Sequence, residues 1–447
     1  MTRRRQNVPE KQTTARRGFL AWLVSQQLEE ASFLYEQRRF LLDTDQLPWT
    51  DVADNEARHA RHLFALELLT QHPDGQLNID ALIEDAGGLH AAVSLYCSQG
   101  RFSALENVIA AANLRDAAAF AAVADGLKWT LPPSWRRRLV AFAEGRDERY
   151  VDLLAMVFGY RRWPLDAVLA MSPNRISKEI VWAIGRSGAA DGIPRLKRVL
   201  SSDMDALKRD AAVALLRLGY SRHLQDIFPI VDAHHWGILA LGLLGMGDVQ
   251  ERLVRLTAIS PSEETVLALG LLGRPSAVPL LISLLSRESL GEAASTALHL
   301  ITGANLYENV FVPEEIVPEA LTADERERYE SGAPVFDGEE MRGETVERLS
   351  QDPSEWARWW RDHRPGFAPD RPCRLGSPYA PTLLVDQLAS RRGTGLLRAL
   401  AYEELVIRYR IDFAFDTDMG VREQQQLLSD FRQWLGTHGD VASRYAG

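Results

Sequence analysis

Along the middle of this chain, one pattern of small and apolar positions returns at a nearly fixed interval. Val181-Trp-Ala-Ile-Gly-Arg-Ser-Gly188, Ala212-Val-Ala-Leu-Leu-Arg-Leu-Gly219, Ile238-Leu-Ala-Leu-Gly-Leu-Leu-Gly245 and Val266-Leu-Ala-Leu-Gly-Leu-Leu-Gly273 superimpose without gaps. Thr296-Ala-Leu-His-Leu-Ile-Thr-Gly303 is a looser fifth copy. The aligned alanines, Ala183, Ala214, Ala240, Ala268 and Ala297, stand 31, 26, 28 and 29 residues apart. Two helices of about ten to twelve residues and two turns fill such a period. Alanine, with Gly185, Gly242 and Gly270 in mid-helix, lets neighbouring helices approach closely. The glycine that ends each copy stands where a left-handed cap closes a helix. Partner helices follow at Ile193-Pro-Arg-Leu-Lys-Arg-Val-Leu200 and Ala277-Val-Pro-Leu-Leu-Ile-Ser-Leu-Leu285, each apolar on one face.

This period predicts an all-α fold whose centre, residues 88–307, is a HEAT-like α-solenoid of short helical hairpins. Segments 102–112, 117–127, 135–142 and 150–158 read as degenerate copies. Upstream, Leu20, Val24, Leu28, Ala31 and Tyr35 trace one helical face, Asp43–Thr50 breaks it, and Thr50 is the expected N-cap of a second helix reaching Leu69. Residues 17–87 are therefore expected to cap the solenoid, behind a disordered basic tail at 1–16. Residues 308–352 read as an irregular acidic connection, because 312–352 holds 13 acidic and 4 basic residues and no sustained periodicity. Residues 353–447 are expected to form a small, mostly helical C-terminal capping domain, in which Trp356, Trp359 and Trp360 precede a helix over 396–408 and a last helix patterned by Val421, Gln424, Leu428, Phe431 and Leu435.

Composition adds few constraints. With 51 basic and 61 acidic residues the chain carries −10, which argues against a whole-protein polyanion binder. Residues 130–222 run the other way, with 17 basic against 10 acidic. The candidate partner-binding residues are taken from this window, Arg136, Arg137, Arg138, Arg161, Arg162, Arg195, Lys197 and Arg198, together with Trp356 and Trp359 as a stacking surface. Cys97 and Cys373 lie far apart without metal-ligand spacing, which fits a reducing, cytoplasmic location. Thr14-Ala-Arg-Arg-Gly-Phe-Leu20 resembles a twin-arginine signal, but its apolar run ends at Val24 and no small-residue cleavage site follows. No stretch reaches the roughly 20 apolar residues of a membrane span.

Catalytic patterns fail on context. Gly242-Leu-Leu-Gly245-Met-Gly247 sits inside a repeat without a preceding strand, and Gly185-Arg-Ser187-Gly188 has its second glycine one place too early for a nucleophile elbow. His59 and His62 with Glu56 are expected on a solvated helical face, and His234-His235 is expected to cap or pack beside Trp236. Asp416-Thr-Asp418-Met-Gly420 opens like a calcium loop but lacks the closing glutamate, so a turn before the last helix is expected. No cofactor or metal is implied.

Glu29-Glu-Ala-Ser-Phe-Leu-Tyr-Glu-Gln-Arg38, the central repeats, Trp356, Trp359, Arg374-Leu-Gly376 and Glu403-Glu-Leu405 together resemble a family of bacterial HEAT-repeat proteins often encoded beside type VI secretion genes. The resemblance implies a cytoplasmic accessory to a contractile secretion apparatus or to effector loading, and carries over no enzymatic residues. The expected function is a non-enzymatic scaffold, adaptor or chaperone for a secretion component or effector. The alternative is nucleic-acid binding along 130–222, as in HEAT-like DNA glycosylases, with the salt dependence that counterion release brings. An enzyme related to bilin lyases is the third reading, and the isolated cysteines weigh against it.

Overall fold

A computed structural model describes residues 10–44, 47–72, 79–220, 237–245, 249–313, 321–331, 335, 343–369 and 371–444. Residues 1–9, His234, His235, Trp236 and Gly247 lie outside the described residues. The described chain is helical apart from two small sheets, and divides into two compact units, one of residues 1–244 with 381–447 and the other of residues 245–380.

The first unit opens with α1 (Glu10–Asp43) and α2 (Ala53–Gln71), which pack on each other. Val24, Leu28, Ala31 and Tyr35 are buried as their spacing requires. The expected tail is thus helical from Glu10 onward, because the apolar and helix-forming positions continue across the boundary drawn at residue 16. Thr50 is not an N-cap. Its hydroxyl donates to Asp51 inside a short 3-10 turn, Trp49–Val52, and α2 begins after it without a side-chain cap.

Nine short helices follow, α3 (Ala86–Ser98), α4 (Phe102–Ala111), α5 (Ala117–Thr130), α6 (Arg136–Ala143), α7 (Glu148–Tyr160), α8 (Asp166–Met171), α9 (Lys178–Ser187), α10 (Ile193–Leu200) and α11 (Asp205–Arg217), and α12 (Ile238–Leu244) ends this stretch. Asp85, Asp116, Asp147 and Ser177 start α3, α5, α7 and α9 by accepting backbone N–H bonds. Within this stretch α3 packs on α5, α5 on α7, α7 on α9, α9 on α11 and α11 on α12, so these helices form one layer. Missing side chains set its spacing. A Cβ on Gly185 would stand 2.8 Å from Ala214 Cα, one on Gly159 2.9 Å from Ala183 Cα, and one on Gly126 2.7 Å from Val93. Gly126 and Gly159 therefore give α5 and α7 the close approach that Gly185 gives α9.

In the second unit, α13 (Val249–Ile259), α14 (Glu263–Leu272), α15 (Val278–Leu284) and α16 (Gly291–Thr302) repeat the arrangement, with α14 on α16 and Gly270 against Ala297. Within the region expected to be irregular, the described residues include two strands and a helix. β1 (Tyr307–Pro313) pairs antiparallel with β2 (Gly343–Leu349), Val310 opposite Val346, with Glu308 and Arg348 in an ion pair of 2.9 Å, and α17 (Ala323–Ser331) stands between them. Two short runs rich in β-formers were hidden by a charge count taken over the whole segment. α18 (Pro353–His363) packs on α15, and β3 (Cys373–Arg374) and β4 (Ser377–Pro378) form a hairpin beside α16.

The remaining helices belong to the first unit. α19 (Pro381–Ala389) packs on α20 (Gly395–Tyr409) and on α21 (Val421–Arg444), and α20 lies on α11 and α12. Residues 353–447 are thus not one capping domain, and the division falls at Pro381. A sequence read in order cannot show that a late segment returns to an early one. All five of Val421, Gln424, Leu428, Phe431 and Leu435 are buried as their spacing implies.

Candidate functional site

Arg186 and Arg217 hold the same place in two aligned repeat copies, near the C-terminal ends of α9 and α11. Helix C-termini carry unpaired carbonyls and a partial negative charge, so cations collect there. Facing them are α20 and residues 411–420. Arg186 reaches Asp416 at 3.0 Å, and Arg217 reaches Glu403 at 2.7 Å and Asp412 at 3.2 Å. Arg162, in left-handed backbone after α7, donates to Arg186 O, to Tyr402 Oη and to Asp412. Lys128 in α5 continues the row, 3.1 Å from Asp125 and 3.2 Å from Asp418. In return Arg408 donates to Gly242 O and Leu243 O, and Arg410 to Leu216 O and Arg217 O, closing α12 and α11.

These pairs set the charge states. Burial works against charge on Asp418, but Lys128 and Arg38 outweigh it and hold its carboxyl below the usual range. Asp416 is pushed up, by burial first and by Asp418 second. Burial would lower Lys128, yet Asp418 and Asp125 raise it, and Glu403 does the same for Arg217. Asp416 and Asp418 lie in the expected turn before the last helix, and each meets a cation.

Beside the row lies a cavity of about 420 Å³, walled by Trp129, Tyr160, Met419 and Gly420 and edged by Arg38, Lys128, Arg161 and Glu423. Arg38 pairs with Glu56 at 2.9 Å, donates to Asp418 O and Met419 O, and stacks 4.8 Å above Trp129. Glu56 also accepts from Val421 N, which seats the start of α21. Behind this wall Tyr35 stacks on His90 at 4.1 Å, and His59 stands 5.3 Å from His90. His59 is therefore buried, not on a solvated face, and burial with the nearby Arg38 lowers it to about 4. His62 binds Gln27 instead. His59 Nε2, Trp129 Nε1, Tyr160 Oη and Arg161 Nε are all enclosed without a hydrogen-bond partner.

No family model, curated protein or solved structure matches this chain. Its own geometry therefore carries the functional reading.

The residues singled out in the sequence do not come together. Arg162 is spent on the internal row, and Arg161 edges the cavity. Arg195 is buried and donates to Leu169 O at 2.5 Å. Arg137, Arg138, Lys197 and Arg198 are exposed and Arg136 half-buried, with the Arg138 guanidinium 3.9 Å above Phe102. Trp356 is wholly enclosed, donating to Ser350 O at 2.7 Å, so it anchors its unit and offers no stacking surface. Trp359 is half-buried and stacks on His363 at 4.2 Å.

Sequence reading missed a different feature. On α1 the face opposite Val24, Leu28, Ala31 and Tyr35 carries Phe19, Trp22, Phe33 and Phe40, each more than half exposed. Their spacings of three, eleven and seven residues place them on one helical stripe. Phe64 and Leu68, also exposed, share a face of α2. The signal was present as a helix apolar on both sides, of which one face alone was assigned. Among the described residues no helix is long and apolar enough to cross a membrane.

Proposed function

We propose that this chain is a HEAT-like helical-repeat scaffold that binds a protein partner on the outer face of α1, and that it acts as a non-enzymatic adaptor. The observation that carries the reading is the row Phe19, Trp22, Phe33 and Phe40, an aromatic stripe on a helix whose opposite face is already buried. Exposed aromatic side chains in a row are what binding hot spots are built from. Glu29, Glu30 and Glu36 flank the stripe and are exposed, so the complementary partner offers an apolar ridge edged by lysine or arginine. The resemblance drawn on Glu29–Arg38 covers this stretch of α1 and points to a type VI secretion component or effector as that partner. The packing of successive inner helices supports the repeat reading.

Nucleic-acid binding along 130–222 is the weaker reading, because Arg162, Arg186, Arg195 and Arg217 are committed to internal carboxylates and carbonyls. Affinity capture from the native cell tests the proposal with two variants side by side. Trp22→Glu with Phe33→Glu is expected to lose the partner, and Arg137→Glu with Arg138→Glu to keep it. Retention by the first pair, or loss confined to the second, contradicts the proposal. A stripe that only joins two copies of this chain, seen as a dimer by light scattering that the first pair abolishes, contradicts it as well.

A further inference from the structure

Of the charges around the 420 Å³ cavity, Arg38 and Lys128 already have carboxylate partners. Arg161 and Glu423 do not. Arg161 donates from one terminal nitrogen to Leu127 O at 3.3 Å, stacks 5.5 Å from Trp163, and leaves its Nε without an acceptor. Glu423, on the first turn of α21, makes neither a hydrogen bond nor an ion pair among the described residues and is exposed at the cavity mouth. Burial lowers Arg161 and raises Glu423, and each group partly offsets the shift of the other, yet they do not meet in an ion pair. Among the described residues, a cation and an anion that have no ion-pair partner therefore edge a single cavity.

The surface around them is aromatic and apolar. Trp129, Tyr160 and Met419 line it. A simple anion would satisfy Arg161 but bring its charge towards Glu423. A simple cation would meet the converse objection at Arg161. A molecule carrying both charges on neighbouring atoms satisfies both sides. The volume lies at the lower end of small-molecule sites, about 300–1,000 Å³, which suits one compact molecule.

We propose that this cavity binds a free zwitterion of the α-amino-acid type with an apolar or aromatic side chain. Its carboxylate pairs with Arg161, its ammonium with Glu423, and its side chain lies against Trp129, Tyr160 and Met419. Charge-assisted hydrogen bonds at both ends give the specificity. The site is separate from the partner face, which lies on the other side of α1.

Calorimetric titration of the full chain tests this with three probes, L-phenylalanine, 3-phenylpropionate, which lacks the ammonium, and 2-phenylethylamine, which lacks the carboxylate. L-Phenylalanine is expected to bind saturably and each half-analogue at least about tenfold more weakly. Glu423→Gln is expected to abolish the preference for L-phenylalanine over 3-phenylpropionate, and Arg161→Gln that over 2-phenylethylamine. Should Arg161→Gln fail to fold, the exposed Glu423→Gln decides alone. The proposal is overturned if L-phenylalanine, L-leucine and L-tryptophan all fail to bind at millimolar concentration. It is equally overturned if either half-analogue binds as tightly as L-phenylalanine, or if Glu423→Gln changes nothing.

Discussion

Both units lay a later segment of the chain across the C-terminal ends of their inner helices, and they hold it by different chemistry. In the 245–380 unit the bonds are main-chain ones. Cys373 N donates to Gly273 O at 2.7 Å, Leu375 N to Leu300 O and Gly376 N to Ile301 O, with Arg374 donating to Leu271 O. In the other unit the fastening is a row of side-chain charges, Lys128, Arg162, Arg186 and Arg217 against Glu403, Asp412, Asp416 and Asp418. A basic excess along a repeat therefore does not by itself mark a docking surface. Here Arg162, Arg186 and Arg217 fasten the chain to itself, meeting the carboxylates of Glu403, Asp412 and Asp416.

The largest effect is expected where that row is broken. Removing one partner of a buried pair leaves uncompensated charge, so Arg217→Ala is expected to destabilise its unit by about 3–5 kcal/mol. Arg374→Met, which keeps the bulk and loses carbonyl hydrogen bonds, is expected to cost the other unit only about 1–2 kcal/mol. Segment-resolved unfolding in denaturant compares the two, and equal costs would erase the distinction between them.

Next come two cap glycines in the same left-handed conformation, φ 71° at both Gly188 and Gly273. A Cβ on Gly188 meets nothing within 4 Å, so Gly188→Ala carries backbone strain alone, about 1–2 kcal/mol. On Gly273 the same atom would stand 2.2 Å from Cys373 O, so Gly273→Ala is expected to add a clash and cost roughly 2–4 kcal/mol. Thermal unfolding of both variants measures the gap.

Per pH unit, the smallest effect is a pH slope. His59 titrates at about 4 in the folded chain, below its ordinary 6.5, so between those values the unfolded chain binds a proton that the folded chain refuses. Stability therefore falls as pH drops through that window, by up to about 1.4 kcal/mol per pH unit for each such histidine, and levels off below about 4. Burial lowers His90 in the same direction. Folding stability measured from pH 7 to 4 is expected to show a shallower slope in His59→Gln, and an unchanged slope would remove His59 as its source.

Much of the helical layer was legible because its cause is local and periodic. Ala183, Ala214, Ala268 and Ala297 are buried, and the glycines closing their helices have the left-handed backbone their position requires. The β1–β2 pair was not legible, since its register joins Tyr307 to Leu349 across a highly charged stretch. Nor was the ionic row, although arginine at the same repeat position in Arg186 and Arg217 was a usable hint. Partners more than 180 residues away, such as Glu403 for Arg217, follow from topology and not from pattern. The cavity was hidden for the same reason, as its walls come from α1, α2, α5, α7 and the start of α21.

Hydrogen exchange of the full chain at neutral pH, read at residues 395–431, tests most directly whether the repeat arginines hold the returning segment. Protection there should match that of α9 and α11, and in Arg217→Ala it should fall in 395–431 together with the ends of those helices. Exchange of 411–420 at free-peptide rates in the unmodified chain, with α9 and α11 still protected, would contradict the account.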